Sequence, residues 1–327
     1  MPVINIYMSI LITYPSALEF WMKYDMIHPL NYAEDSISNI PADAASRDSL
    51  IRLFQKFGFK LPIHVMVPER SKRSHGSKFV CHLAPKTPLP DAVIKLSDKI
   101  SIVSPEYCLL LAAREMDIAE LAILATDLMG IFRFESNAQF SLTNRSPLTS
   151  LDKMSVFLNK AKSNSGVKKA SIAINYAFER SNSPMESKLA VVASLPCMYG
   201  GYGIIRPDLN RYISLSSDGK KLLNRETCCC DMVWFDKKYV VEYGSNLVHS
   251  SSSQVRYDKK RSDAILMSGF SLLHVTSDFF RNQNTIDALF ILIRKCLGMR
   301  SIKPKLDKYK EKRFELLKKL FLTLPSL

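Results

Sequence analysis

The chain has 327 residues, 47% of them hydrophobic, with 45 Lys and Arg against 31 Asp and Glu, for a formal net charge of +14. That length supports two domains with ordinary cores, and the absence of any apolar stretch long enough for a bilayer, of repeats at solenoid periods and of low-complexity tracts excludes spanning, solenoid and biased-composition classes. The charge suits a polyanionic partner, nucleic acid ahead of a membrane surface, against the plainer alternative of a basic protein with no such partner.

In chain order, the apolar run 4–14 lacks a basic residue before it and is too short to cross a membrane, so it reads as a strand rather than a targeting segment. Ser16 is placed to cap a short helix over 17–23. Residues 30–49 are polar and loop-like and lead into a helix over 47–57, with Ser46 and Ser49 at its start and Gly58 at its stop. A strand over 61–68 and another over 79–83 flank the basic stretch Glu69-Arg70-Ser71-Lys72-Arg73-Ser74-His75-Gly76-Ser77-Lys78. Arg70, Lys72 and Arg73 there suit a phosphate-contacting wing, and equally the solvated tip of a hairpin. Pro85, Pro88 and Pro90 mark a connector.

Ser104-Pro105-Glu106 opens a helix with Pro in its first turn, and residues 108–114 and 118–132 are apolar at helical spacing, as buried helices are. This segment bears a faint resemblance to the antitoxin component of abortive-infection systems, in which helical DNA-binding units are joined to nuclease-like folds. Residues 133–150, rich in Ser, Asn and Thr, are the expected domain boundary. Helices over 151–162 and 167–178 follow, with Lys160, Lys162, Lys168 and Lys169 clustered at their junction, either on a phosphate backbone or in solvent.

Beyond them, Pro184 starts a helix carrying Glu186, and the loop with Gly200, Gly201 and Gly203 lacks the strand-to-helix setting of a nucleotide-binding turn. A strand over 210–216, a hairpin, a helix over 253–267, a strand over 272–276 and a helix over 285–297 complete this half. The tail 303–319 reads as a basic amphipathic helix packed through Phe314, Leu317 and Leu320. The seven cysteines are an odd number, three of them are adjacent (Cys228, Cys229, Cys230), no C-x-x-C pair exists and Cys81-His82 has no spaced partner. Structural zinc and a disulfide framework are therefore not expected, and reduced thiols in a cytosol are.

The hairpin organises the chemistry. Apolar β-formers flank Asp236-Lys237 between Cys230 and Gly244. A loop of two or of four residues gives one register, pairing Phe235 with Lys238, Val233 with Val240 and Asp231 with Glu242. The two carboxylates then face each other on one side of the ladder with Cβ atoms roughly 5 Å apart, while Met232, Trp234, Tyr239 and Val241 form the core side. Facing like charges destabilise a ladder unless a hard cation holds them.

Asp231, a hairpin, then Val240-Val241-Glu242 resembles the PD-(D/E)XK nuclease pattern. Glu242-Tyr243-Gly244-Ser245, His249, Asp258-Lys259-Lys260-Arg261, Gly269 and the strand 271–276, with Ser183-Pro184-Met185-Glu186-Ser187 upstream, are similar to the branch related to very-short-patch-repair endonucleases. The resemblance covers about residues 183–280. It implies an α/β, restriction-endonuclease-like mixed sheet flanked by helices, here preceded by a smaller α+β N-terminal domain. The expected division is 1–140, 150–300 and a C-terminal helix at 301–327. It also implies Asp231 and Glu242 as ligands of Mg²⁺ or Mn²⁺, and Glu186 as a further acid. His249 would orient or deprotonate the attacking water. The lysine of the third strand is replaced by Gly244, so Lys259 or Lys260 would supply the positive charge from the helix. Arg261 reads as structural, paired within its helix with Asp258. The implied activity is metal-dependent hydrolysis of phosphodiester bonds in DNA, with a non-catalytic DNA-binding regulator as the alternative. Arg70, Lys72, Arg73, Lys168, Lys169 and Lys260 are the candidate nucleic-acid contacts.

Overall fold

The structure, a computed structural model, describes residues 10–25, 54, 57–73, 77–85, 89–97, 100–135, 141–244 and 252–322. The chain is of the mixed α/β class and divides into two compact units, Met1–Ala177 and Phe178–Leu327. Among the described residues no helix is long and apolar enough to cross a membrane.

The first unit contains β1 (Ile10–Ile12), α1 (Ser16–Lys23), β2 (Ile63–Val67), β3 (Phe79–Leu83), β4 (Val93–Ser97) and β5 (Ile100–Val103), followed by α2 (Pro105–Ala112) and α3 (Ile118–Leu128). A short ladder of β6 (Phe132–Phe134) and β7 (Leu142–Asn144) leads to α4 (Leu151–Lys160) and α5 (Val167–Ile174). The five-stranded sheet runs β3-β2-β1-β5-β4. Ser104 caps α2 by accepting the Tyr107 N–H at 3.2 Å, and Asp117 and Glu120 form a reciprocal capping box on α3. Ser16 does not cap α1: its hydroxyl accepts the His64 N–H at 3.0 Å and ties the helix start to β2. Nearly all of the expected helix at 47–57 lies outside the described residues.

Three expectations are corrected here. The basic stretch 69–78 is no hairpin tip, because β2 and β3 are parallel, Ile63 facing Phe79, and a 3₁₀ turn at Arg70–Lys72 begins the crossover. The boundary expected at 133–150 belongs inside the first unit. β6 pairs with β7 through Arg133 and Thr143, and the buried Arg145 guanidinium donates to the carbonyls of Trp21 and Asp127. Helices α4 and α5 pack on α2 and α3, so the division falls after Ala177 and the N-terminal unit is the larger of the two. The segment is as polar as a linker, but a guanidinium and a ladder absorb that polarity internally.

The second unit holds α6 (Pro184–Ser194), β8 (Asp208–Ser214), α7 (Ser217–Leu223), β9 (Thr227–Trp234), β10 (Tyr239–Tyr243), α8 (Ser252–Met267), β11 (Ser271–Val275), α9 (Gln283–Cys296), α10 (Lys303–Lys308) and α11 (Lys310–Leu317). Its sheet runs β11-β10-β9-β8, antiparallel from β8 to β10 and parallel between β10 and β11. The hairpin takes the expected register, with Val233 opposite Val240 and Met232 opposite Val241. The last pair is Trp234 with Tyr239, so the loop has the longer form, a 3₁₀ turn at Phe235–Lys237 closed by Lys238 in the left-handed region. Met232, Trp234, Tyr239 and Val241 are buried as expected. Val233 and Val240 are buried as well, in a cluster with Ile213, Cys230, Ala264 and Ile265, so apolar packing covers both faces of the sheet.

Gly201 is required by close approach: a Cβ there would lie 2.1 Å from the Leu195 carbonyl. The tail is not a separate element. Arg313, buried, forms a salt bridge to Asp287 at 2.9 Å, and Lys188 Nζ donates to the Leu320 carbonyl at 3.0 Å. The expected single helix breaks at Tyr309 (φ −110°, ψ 25°), which turns the apolar stripe so that Leu306, Leu316 and Leu317 are buried and Phe314 is exposed.

Candidate functional site

Ser183 and Pro184 start α6 at a fixed place, and Glu186 is the third residue of that helix. The Ser183 hydroxyl accepts the Glu186 N–H at 3.2 Å and donates to Glu186 Oε1 at 3.0 Å. Glu186 Oε2 accepts the Asn182 N–H at 2.9 Å and the Asn210 side-chain amide at 2.6 Å. Asn210 adopts φ +48° and also donates to the Arg180 carbonyl at 2.9 Å. The ladder between β8 and β9 pairs Leu209 with Met232 and Arg211 with Cys230, and skips the step at Asn210 and Asp231. The β9–β10 ladder likewise ends at Met232 and Val241.

Asp231 stands at that break. Its Oδ2 accepts the Tyr243 N–H at 2.8 Å, so the carboxyl takes the place of a ladder acceptor. Glu242, 5% exposed, is held by Arg261 of α8: Nη1 donates to Oε2 at 2.6 Å and Nη2 to Oε1 at 3.0 Å. Such a forked, charge-assisted pair is among the stronger hydrogen-bonded contacts a protein makes. Arg261 also donates to the Cys229 carbonyl. Next to Glu242 across the parallel ladder is His274, whose Nε2 lies 3.0 Å from the Ser262 hydroxyl.

The electrostatics follow from burial. Desolvation first, and the charge of Glu242 second, push the Asp231 carboxyl up to about 7, against the pull of the Tyr243 N–H and Arg261. Burial and then Asp231 push Glu186 up to about 7, against its hydrogen bonds from Asn182, Asn210 and Ser183. Glu242 is raised by burial while Arg261 draws it down. His274 is lowered by burial and by Arg261. Three carboxyls therefore share one electrostatic neighbourhood with one guanidinium between them. A pocket of ≈ 290 Å³ opens beside them, with Asn182, Asn210, Arg225, Asp231, Tyr257 and Arg261 in its wall.

Of the residues singled out in the sequence, Asp231, Glu242 and Glu186 come together. His249 lies outside the described residues. Lys259 and Lys260 are exposed, and neither is among the described residues lining the pocket. At 3.6 residues per turn Lys259 points roughly opposite to Arg261, and it is Arg261 that brings positive charge to Glu242. Arg261 is structural, but through a longer-range contact than a pair within its helix: its guanidinium spans from α8 to Glu242 and the Cys229 carbonyl on the sheet. The Asp258-x-x-Arg261 spacing signals a pair within the helix and carries no signal for the contact with Glu242. Asn210, Arg225 and Tyr257 had no signal either, since each reaches the site only through the sheet and α8.

The basic residues of the first unit are dispersed in use. Arg70 and Arg73 are exposed and Lys72 is partly buried. Lys168 is exposed, whereas Lys169 Nζ is spent on the Met116 carbonyl at 2.9 Å. Lys160 pairs with Asp91 at 2.7 Å. All seven cysteines are free, as expected.

Among the described residues no set of three His, Cys, Asp or Glu side chains is arranged to hold a metal ion. Two carboxylates plus waters suffice for Mg²⁺, which retains much of its hydration shell. Asp231 and Glu242 have the right donor chemistry, and the negative charge exceeds what Arg261 offsets. Each Glu242 oxygen accepts one hydrogen bond from Arg261, which leaves a second lone pair on each for a cation. No family model matches the chain, and no curated protein or solved structure matches it.

Proposed function

We propose that the chain acts on nucleic acid, DNA in the first place, and that its second unit is a phosphodiester-hydrolysing domain of the PD-(D/E)XK type using Mg²⁺ or Mn²⁺. One observation carries this reading. Asp231, Glu242 and Glu186 are gathered at a break in the ladders, next to a pocket whose wall also holds Arg225 and Arg261. Asp231 in the wall, with guanidinium groups beside it, suits a phosphodiester, whose charge must be held while water attacks it. The order helix, strand, short helix, two further antiparallel strands, helix, parallel strand over α6 to β11 supports a restriction-endonuclease-like core.

Within this reading each residue has a defined task. The Tyr243 N–H fixes the orientation of Asp231, and Arg261 fixes that of Glu242. Arg225 and the Asn182 side chain offer donors to phosphate oxygens, whereas both amide hydrogens of Asn210 are spent on Glu186 and the Arg180 carbonyl. Asp231 and Glu242 would hold the cation, which supplies charge withdrawal from the phosphate and a more acidic water. His249 retains the role of orienting that water on the strength of the family resemblance.

A second reading, a DNA-binding regulator with a nuclease-like domain that does no chemistry, is favoured by a specific observation: both Glu242 oxygens are engaged by Arg261, and Gly244 occupies the position of the family lysine. The separating experiment incubates the protein with plasmid, single-stranded DNA and RNA, with Mg²⁺, Mn²⁺ or chelator. Cleavage that needs metal and is lost in Asp231→Ala and Glu242→Ala supports hydrolysis. Binding without cleavage of any substrate replaces it with the regulator.

A further inference from the structure

The first unit contains a second pocket, unrelated to the acidic site. Glu106, at the start of α2, is 4% exposed. Its Oε1 accepts the Thr149 hydroxyl, while its Oε2 is buried and has no hydrogen-bond partner. Buried carboxyl oxygens are almost always satisfied, because leaving one without a donor is costly. This oxygen belongs to a residue lining a pocket of ≈ 320 Å³, together with Asp91, Asp152, Lys153, Val156 and Phe157. The size is at the lower end of small-molecule sites.

The wall chemistry narrows the occupant. Phe157 is buried and Val156 is 54% exposed, so the apolar surface extends to a mouth on the outside. The Tyr107 ring packs against Phe157 at 6.0 Å and thickens this wall. Asp91 is already neutralised by Lys160 at 2.7 Å, and Lys153 at the rim offsets one further carboxyl. With Glu106 and Asp152 both present, the balance left over is negative. An anion is disfavoured by that balance. A bare metal ion has only one buried carboxyl to bind.

We propose that this pocket binds an organic ammonium ion, its apolar body lying on Val156 and Phe157 and its N–H donating to Glu106 Oε2, which has almost no accessible surface and must turn toward the pocket to be met. The first unit is then a receptor for a small amine. The inference does not depend on the activity of the second unit, and its test reads neither nucleic-acid binding nor cleavage.

The test titrates the full chain by calorimetry and by saturation-transfer NMR with 2-phenylethylamine, the neutral 3-phenylpropan-1-ol and the anionic 3-phenylpropanoate. The amine should bind, with the alcohol and the anion each weaker by about tenfold or more, since a charge-assisted hydrogen bond is lost. Glu106→Gln preserves shape and the Thr149 contact and should weaken the amine by a similar factor. Val156→Trp, at the exposed rim, should abolish binding by filling the pocket without touching the buried carboxyl. Absence of binding across a panel of aliphatic and aromatic amines at millimolar concentration overturns the proposal. So does equal binding of the anion, or binding unchanged in Glu106→Gln. Should Glu106→Gln fail to fold, unchanged amine binding in Val156→Trp overturns it on its own.

Discussion

At the scale of single residues, the second unit turns on one guanidinium. Glu242 is nearly inaccessible, and Arg261 donates to both of its oxygens. Removing Arg261 leaves a buried carboxyl that must be protonated or left uncompensated. Arg261→Ala should therefore lower stability by about 3 kcal/mol, the low end for a broken buried pair because Arg261 itself is partly exposed. Urea unfolding measures this, and a double-mutant cycle with Glu242→Gln should return most of it as coupling energy; independent effects would show that the fork is incidental. A second residue-scale prediction concerns His64 and His82, whose Nδ1 and Nε2 lie 2.8 Å apart with stacked rings. Burial lowers both, and His64 further lowers His82, while Glu115 draws each upward; Glu19 does the same for His64, and Arg114 and Arg73 oppose it at His82. A histidine with a depressed folded pKa contributes stability that is present above its unfolded value of about 6.5 and is lost as pH falls below that. The first unit should lose stability as pH falls below about 6.5. His82→Gln should flatten that part of the pH profile in thermal unfolding, and a variant with the same slope would remove the pair as the cause.

At the scale of elements, local rules account for where α6 and the hairpin begin and end. Ser183 caps α6 and also hydrogen-bonds the side chain of Glu186, so Ser183→Ala should cost about 1 kcal/mol. If the acid cluster depends on that anchor, the same variant should weaken any metal-dependent cleavage more than it weakens folding, which activity and melting curves measured together resolve. Lys238 closes the hairpin at φ +47°, in a region that glycine occupies without steric cost. Its N–H donates to the Phe235 carbonyl at 3.0 Å and its carbonyl accepts the Ser271 N–H at 2.8 Å, so the backbone is held there from both sides. Lys238→Gly should leave stability level or raise it by up to about 1 kcal/mol. A loss of that size would mean that the lysine side chain makes a contact of its own.

At the scale of the molecule, each unit carries its own sheet and helices. Residues 178–327 expressed alone should unfold cooperatively, because the sheet, its flanking helices and the Arg313–Asp287 anchor of the tail all lie within that range. Loss of cooperative unfolding in calorimetry would show that the unit depends on the rest of the chain. The excess of 45 basic over 31 acidic side chains makes a further prediction. Nucleic-acid affinity should fall steeply between about 50 and 200 mM salt through counterion release; a flat dependence would remove the polyelectrolyte term from the proposed function.

The sequence by itself determined what alternation and capping chemistry encode. The register that sets Val233 against Val240 follows from a turn flanked by β-formers, the start of α2 from Ser104-Pro105, and the start of α6 from Ser183-Pro184. These are short-range effects, complete within a few residues. The pairing of Asp231 with Glu242 was legible as proximity but not as geometry, because the ladder breaks at Asp231 and its carboxyl takes up the Tyr243 N–H. Only the tertiary structure decided the partner of Glu242, since Arg261 arrives from α8 across the sheet. It alone decided that β2 and β3 are parallel, because the same two strand patterns fit either direction. It also decided that 133–150 is interior to a unit: a polar segment and a linker look alike until a partner such as the Trp21 carbonyl, far away in sequence, is brought to Arg145. Long-range hydrogen bonds of this kind leave no period in the sequence, and they fix which charges meet.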